Sequence, residues 1–171
     1  KPTKLDLPAD LVGQSHSYLP SIRYRPGKMI AMRARSSIRL IDTTGPTPTI
    51  TRMEGFHDVA RMNANFTVMA DGKVMLSGGG LRDSSEKWFV FANRTTRIWD
   101  PDNNTWTWGP IAHEIRLYHS IAALLPDGTV LTGSGGAPGP VTNLNVQIYY
   151  PPYLYKKDGS GELAERPDIT S

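Results

Sequence analysis

Asn65-Phe-Thr-Val-Met-Ala-Asp-Gly72-Lys-Val-Met-Leu76 decides the fold, because its plan recurs on either side of it. The other copies are Ser21-Ile-Arg-Tyr-Arg-Pro-Gly27-Lys-Met-Ile-Ala-Met32 and Ser120-Ile-Ala-Ala-Leu-Leu-Pro-Asp-Gly128-Thr-Val-Leu131. Each reads as a strand, a tight turn and a second strand. Pro-Gly or Asp-Gly makes the turn because glycine accepts positive φ at little cost, and the flanking apolar and β-branched residues suit a pleated, buried surface.

A third apolar run follows each hairpin: Ser37 to Asp42, Thr96 to Pro101, and Asn145 to Pro151. A fourth, edge-like run follows in the first two repeats, Thr49 to Met53 and Thr105 to Trp108. The turn glycines Gly27, Gly72 and Gly128 stand 45 and 56 residues apart. Those spacings are close to one propeller blade once a longer insertion in the second repeat is allowed for. The order of strands therefore predicts an all-β, kelch-like β-propeller with about three four-stranded blades. A β-sandwich built from three hairpins is the competing architecture, since Asp-Gly turns occur in any all-β domain.

Propellers close on themselves with four to eight blades, because an open ring exposes sheet faces and strand edges. Three blades do not close, so the ring is expected to be completed by other polypeptide, in the same protein or in an associated fragment.

The composition is globular: 171 residues, 39% hydrophobic and 20% charged. The net charge of +3 comes from Lys and Arg scattered among Asp and Glu, which argues against nucleic acid as a partner. No apolar run approaches the length of about 18 residues that a membrane span needs, and Lys1 to Asp10 lack a signal peptide's apolar core. With no cysteine, the chain alone builds no disulfide, thiolate metal site or thiol nucleophile.

Four histidines are present, His16, His57, His113 and His119, with no HExxH or other close pair. Each by itself reads first as a surface or packing residue. Arg116-Leu-Tyr-His-Ser120 differs in its place, since it leads into the innermost strand of the last repeat. Residues entering that strand face a propeller's central channel, where sites are assembled. Neighbours on a strand point to opposite faces, so Tyr118 and His119 can share a metal only if the chain bends there. A phenol oxygen and an imidazole nitrogen suit Cu(II). The competing reading is a channel-lining pair satisfied by backbone hydrogen bonds.

Arg116 to Leu131, Gly133-Ser-Gly-Gly136, Val146-Gln-Ile-Tyr-Tyr-Pro-Pro-Tyr-Leu-Tyr155 and Leu163-Ala-Glu-Arg-Pro-Asp-Ile169 occur in that order. Together they resemble the end of the catalytic propeller in the copper-radical oxidases, the family of galactose oxidase and glyoxal oxidase. The resemblance runs from about Ala60 to Ile169 and is weak before that.

The resemblance implies a copper-dependent oxidase that converts a primary alcohol or aldehyde with O2 to the aldehyde or acid and hydrogen peroxide, secreted or at the cell surface. It implies that Tyr118 is an axial copper ligand and the base that accepts the substrate proton, and that His119 is an equatorial ligand. The family's radical cofactor, a tyrosine cross-linked to a cysteine, is expected outside this chain. A further histidine ligand is expected in a C-terminal β-sandwich domain. Residues 1–165 are accordingly expected to be the last blades of the propeller and 166–171 the start of the linker into that domain. This chain alone is expected to be inactive.

Two features depart from the family or stay open. Where relatives commonly carry a histidine in the preceding inner strand, this chain reads Arg61-Met-Asn-Ala-Asn-Phe66. The insertion from Leu81 to Asn93 carries Trp88, Phe89 and Phe91. Trp88 and Phe89 are candidate substrate-binding residues, where relatives place an aromatic wall; packing on a neighbouring blade is the competing role. The alternative function is a kelch-like propeller without metal that binds carbohydrate or protein. Three N-glycosylation triplets begin at Asn65, Asn93 and Asn103, but such triplets arise often by chance and Asn65 falls in a predicted inner strand.

Overall fold

The computed structural model describes residues 18–33, 37–58, 61–81, 91–136 and 142–166. The three expected hairpins are present, each closed by its glycine in the left-handed region: Gly27 at φ 70°, Gly72 at φ 80° and Gly128 at φ 83°. In the first sheet, β1 (Ser21–Arg25), β2 (Lys28–Arg33), β3 (Ser37–Asp42) and β4 (Thr49–Arg52) pair in sequence order. The second sheet pairs β5 (Met62–Val68), β6 (Val74–Leu81), β8 (Thr95–Asp100) and β9 (Thr105–Ile111), with the two-residue β7 (Phe91–Ala92) against the end of β6. The third consists of β10 (Ile121–Leu124), β11 (Val130–Gly133) and β12 (Val146–Tyr149). All pairings are antiparallel.

These are three consecutive propeller blades, not the two sheets of a sandwich. The strand count differs from the expected four per blade. The second blade gains a short extra strand, and the third has three strands among the described residues. The innermost strands β1, β5 and β10 lie side by side, β5 in contact with both neighbours. Ile22, Phe66 and Ile121 thus stand in equivalent strands, but at different rungs: Ile22 pairs with Ile30, Phe66 with Leu76, and Ile121 with Gly133. The turn of the first blade is shorter, with Arg25 already paired to Lys28, and β1 has an irregular register between Arg23 and Arg25.

Strand alternation gives the middle blade two buried faces. Phe66, Val74, Leu76 and Trp99 pack on Ile30, Met32, Ile38 and Met53 of the first blade. From the other face, Met75 and Ile98 pack on Val130, Tyr149 and Tyr153 of the third. Such strands read as near-continuous apolar runs, which is why β6 is buried at every residue from Val74 to Gly80. Each large side chain removed from water this way contributes about 1.5–3 kcal/mol. The far face of the third blade is uncovered: Ile121 (55% exposed), Val146 (62%) and Ile148 (41%) stand there, whereas Ile98, at the corresponding place in the middle blade, is 8% exposed.

Candidate functional site

The chain enters β10 through a tight turn in which the Ser120 N–H donates to the Leu117 carbonyl at 2.9 Å, with Tyr118 and His119 at its centre. His119 has φ 64°, a conformation that costs a non-glycine residue about 1–2 kcal/mol. This is the bend that strand alternation demanded. The two rings, instead of pointing to opposite faces, stack with centroids 3.7 Å apart and planes 29° from parallel. Tyr118 is half-buried and His119 exposed.

Three blades meet at this turn. Tyr18, just before β1, sets its ring edge-on to Tyr118 at 6.0 Å, and its carbonyl accepts the N–H of Asn63 at 2.7 Å. Asn63 also has a left-handed backbone, φ 60°. Asn65 Nδ2 donates to Ser120 Oγ at 3.0 Å, joining the inner strands of the second and third blades. Tyr18, Asn63, Asn65, Tyr118, His119 and Ser120 line an open cleft of about 250 Å³.

Behind the turn lies Arg116, 2% exposed. Nη1 donates to the carbonyls of Ser134 (3.0 Å) and Asn145 (3.2 Å), while Nη2 donates to Asn145 Oδ1 (2.7 Å) and Gln147 Oε1 (3.4 Å). Neutral oxygens thus surround the guanidinium. Burial lowers its pKa, opposed by the charge of Glu114. The Arg116 carbonyl accepts the Gly79 N–H at 2.7 Å, and the Gly136 N–H donates to the Tyr118 carbonyl at 2.8 Å. The Tyr118–His119 turn is therefore held from both sides by backbone, with Arg116 fixing the loop that supplies Gly136. Arg61 plays the matching part at the entry to β5. It is fully buried, paired with Asp58 at 2.7 Å, and donates to the Thr95 carbonyl at 2.7 Å; burial lowers its pKa against the pull of Asp58.

His57 and His113 are exposed and line no part of the cleft. His16, Trp88 and Phe89 lie outside the described residues. Among the described residues no cluster of three or more His, Cys, Asp or Glu side chains could hold a metal. The cleft instead offers the phenols of Tyr18 and Tyr118 and the imidazole of His119; the adjacent Tyr118 and His119 are a donor pair that suits Cu(II) but would supply only part of its coordination shell. Tyr18, Asn63, Asn65 and Ser120 were not singled out from sequence as parts of this cleft. Their signal was there in the repeat, since Asn63 and His119 each stand nine residues before their turn glycine.

No known family's sequence profile matches the chain. Two galactose oxidases do, one from Gibberella zeae strain PH-1 and one from Gibberella zeae without a strain given. Each is 38% identical over 118 residues, a match that covers 65% of this chain and 16% of the relative. A solved structure described as a novel fungal alcohol oxidase with catalytic diversity among the AA5 family, in complex with copper, superposes with a TM-score of 0.75 at 26% identity. That match covers 90% of this chain and 35% of the other. The structure of YjhT superposes with a TM-score of 0.56 at 15% identity over 69% of this chain and 34% of that one, a likeness of fold alone. The chain thus spans less than a fifth of the length of the curated relatives it matches. The sequence match to galactose oxidase and the superposition on a copper-containing alcohol oxidase agree with the segments quoted above: over these blades the chain is similar to the copper-radical oxidases.

Proposed function

We propose that this chain is the part of a copper-radical oxidase propeller that carries two of the copper ligands, Tyr118 and His119. The reaction is oxidation of a primary alcohol, an aldehyde or a sugar hydroxyl by O2, giving the aldehyde or acid and hydrogen peroxide. The observation that carries this reading is the Tyr118–His119 turn. Its left-handed residue brings a phenol and an imidazole to one mouth of the inner strands, which a regular strand entry would not do.

In this reading His119 and Tyr118 hold copper, which when bound supplies one-electron exchange with substrate and O2. Tyr118 accepts the hydroxyl proton of the substrate, a role open to a phenolate held beside the reacting oxygen. Tyr18 limits the freedom of the Tyr118 ring by its edge contact. Asn63, Asn65 and Ser120 offer amide and hydroxyl groups to a polar substrate at the cleft. The cysteine-linked tyrosine cannot form from these 171 residues, which include no cysteine, so its residues belong to other polypeptide.

Residues 1–165 form blades of the ring and 166–171 begin a linker to a β-sandwich domain. The uncovered face at Ile121, Val146 and Ile148 receives further propeller structure. The protein acts outside the cell or at its surface.

The test is Cu(II) titration with peroxide release on the full-length protein and on residues 1–171 alone. Stoichiometric copper and turnover are expected in the first and neither in the second. A full-length protein that binds a sugar or a protein but no copper would establish the binding propeller instead.

A further inference from the structure

Of the three glycosylation triplets, the structure separates one from the other two. Asn65 lies in the middle of β5, its rung paired with Ser77, its Nδ2 bound to Ser120 Oγ, and the Thr67 of its triplet 4% exposed. Asn93 is half-buried: its backbone N–H donates to the Gly79 carbonyl (2.8 Å), its Oδ1 accepts the Thr95 N–H (2.9 Å), and its Nδ2 faces Asp58 at 3.5 Å. A glycan on either nitrogen would displace the contacts that hold the inner strand or the loop beside Arg61.

Asn103 is different. Asp102, Asn103, Asn104 and Thr105 are all exposed, in the turn between β8 and β9. The turn is rigidly placed: Asn104, at φ 55°, accepts the indole N–H of the buried Trp99 at 3.0 Å, and Asp102 pairs with Arg25 at 2.6 Å. The Asn103 amide carbonyl accepts both the Thr105 backbone N–H (3.2 Å) and the Thr105 hydroxyl. That contact turns Nδ2 outward, where its neighbour is Asp100 Oδ2 at 3.5 Å, an exposed and long contact that is cheap to lose.

The position is also harmless to the cleft. β5 starts at the cleft, and β8, two antiparallel pairings away, runs in the same direction, so its far end at Asp100 lies about 20 Å along the strand from that mouth. The Lys73–Asp100 contact at 3.6 Å confirms that this turn sits beside the hairpin turn at the opposite end.

We propose that Asn103 is an N-glycosylation site of the folded protein, while Asn65 and Asn93 stay unmodified. The donor class is a polyprenyl-pyrophosphate-linked oligosaccharide. The Asn103 Nδ2–C1 bond forms, the C1–O bond to pyrophosphate breaks, the polyprenyl pyrophosphate leaves and the amide proton passes to the transferase; no electrons change hands. The inference rests on passage through the secretory pathway, which is part of the function proposed above, and the experiment imposes that passage so that the two can fail separately.

The full-length protein, carrying an appended signal sequence, is secreted from a yeast host. It is mapped by mass spectrometry after amidase deglycosylation in heavy-oxygen water, which marks each formerly glycosylated Asn. The expected result is label at Asn103 and none at Asn65 or Asn93 in the soluble, folded fraction. Asn103→Gln and Thr105→Ala each remove that label, and Thr105→Ser keeps it. Translation into microsomal vesicles gives the same readout at Asn103 for any variant that is not secreted. Translocated protein with Asn103 bare, or folded protein labelled at Asn65 or Asn93, overturns the proposal. Oxidase activity does not enter the readout, so a binding propeller would pass or fail on the same terms.

Discussion

Asn63 and His119 occupy the same place in consecutive blades, each nine residues before its turn glycine and each left-handed, at φ 60° and φ 64°. The conformation therefore belongs to the repeat, and His119 differs by bringing an imidazole to it. Glycine at either position should relieve backbone strain of about 1 kcal/mol. In the full-length protein Asn63→Gly should raise the urea midpoint or leave it unchanged and keep bound copper. His119→Gly should be equally stable and lose copper, whereas His119→Val, β-branched in a left-handed position, should lose both copper and stability. Copper retained in His119→Gly would remove His119 from the ligand set.

Tyr118→Phe should lower turnover far more than copper content. A positioned proton acceptor contributes typically about 10²–10⁴-fold in rate, while in the proposed reading His119 and ligands from other polypeptide would still hold the metal. Metal analysis beside peroxide release on the same sample separates the two. Unchanged turnover with copper retained would exclude Tyr118 as the base.

Arg116 should matter to the site without touching it. Arg116→Met removes the guanidinium donors of the Ser134 carbonyl and of Asn145 Oδ1, while the Asn145 carbonyl keeps the Ser134 N–H; each charge-assisted bond is worth about 1.5–3 kcal/mol. A loss of at least about 2 kcal/mol in denaturant unfolding is expected. Gly78→Ala strikes the Arg116 backbone instead. Its φ is 66°, and an added Cβ would lie 2.6 Å from the Arg116 carbonyl oxygen. If both variants unfold as wild type does, the clamp behind the Tyr118–His119 turn is not where stability resides.

Acid should weaken the first blade through Asp42. The hydroxyl and backbone N–H of Thr44 and the ammonium of Lys28 hold its pKa down from 3.8 to about 2. A depressed carboxylate stabilises the fold above its unfolded pKa, and that contribution disappears as pH falls through the folded value. The slope of stability against pH is thus positive between about 4 and 2. Asp42→Asn should flatten the fall in urea midpoint over that window. An identical fall in wild type and variant would show that Asp42 does not drive it.

What was legible in the sequence was local. A glycine that must adopt positive φ between two alternating apolar runs specifies a hairpin from about a dozen residues, and three copies in one strand order specify blades. The lack of cysteine likewise excluded a complete radical cofactor in this chain, with no structure needed. The Tyr118–His119 segment could be read as a candidate because it precedes an inner strand. Only tertiary structure decided that Tyr18, Asn63 and Asn65 converge on that pair, since they come from the two preceding blades, which are joined by packing of Phe66, Leu76 and Trp99 on Ile30 and Met32. The same holds for Arg116, whose partners Ser134, Asn145 and Gln147 are 18 to 31 residues away. Its burial among neutral oxygens leaves no mark on charge pattern or hydrophobic period. Such contacts are set by the closeness of sheets, and a one-dimensional pattern records only which face of a strand is apolar, not what the neighbouring blade places against it.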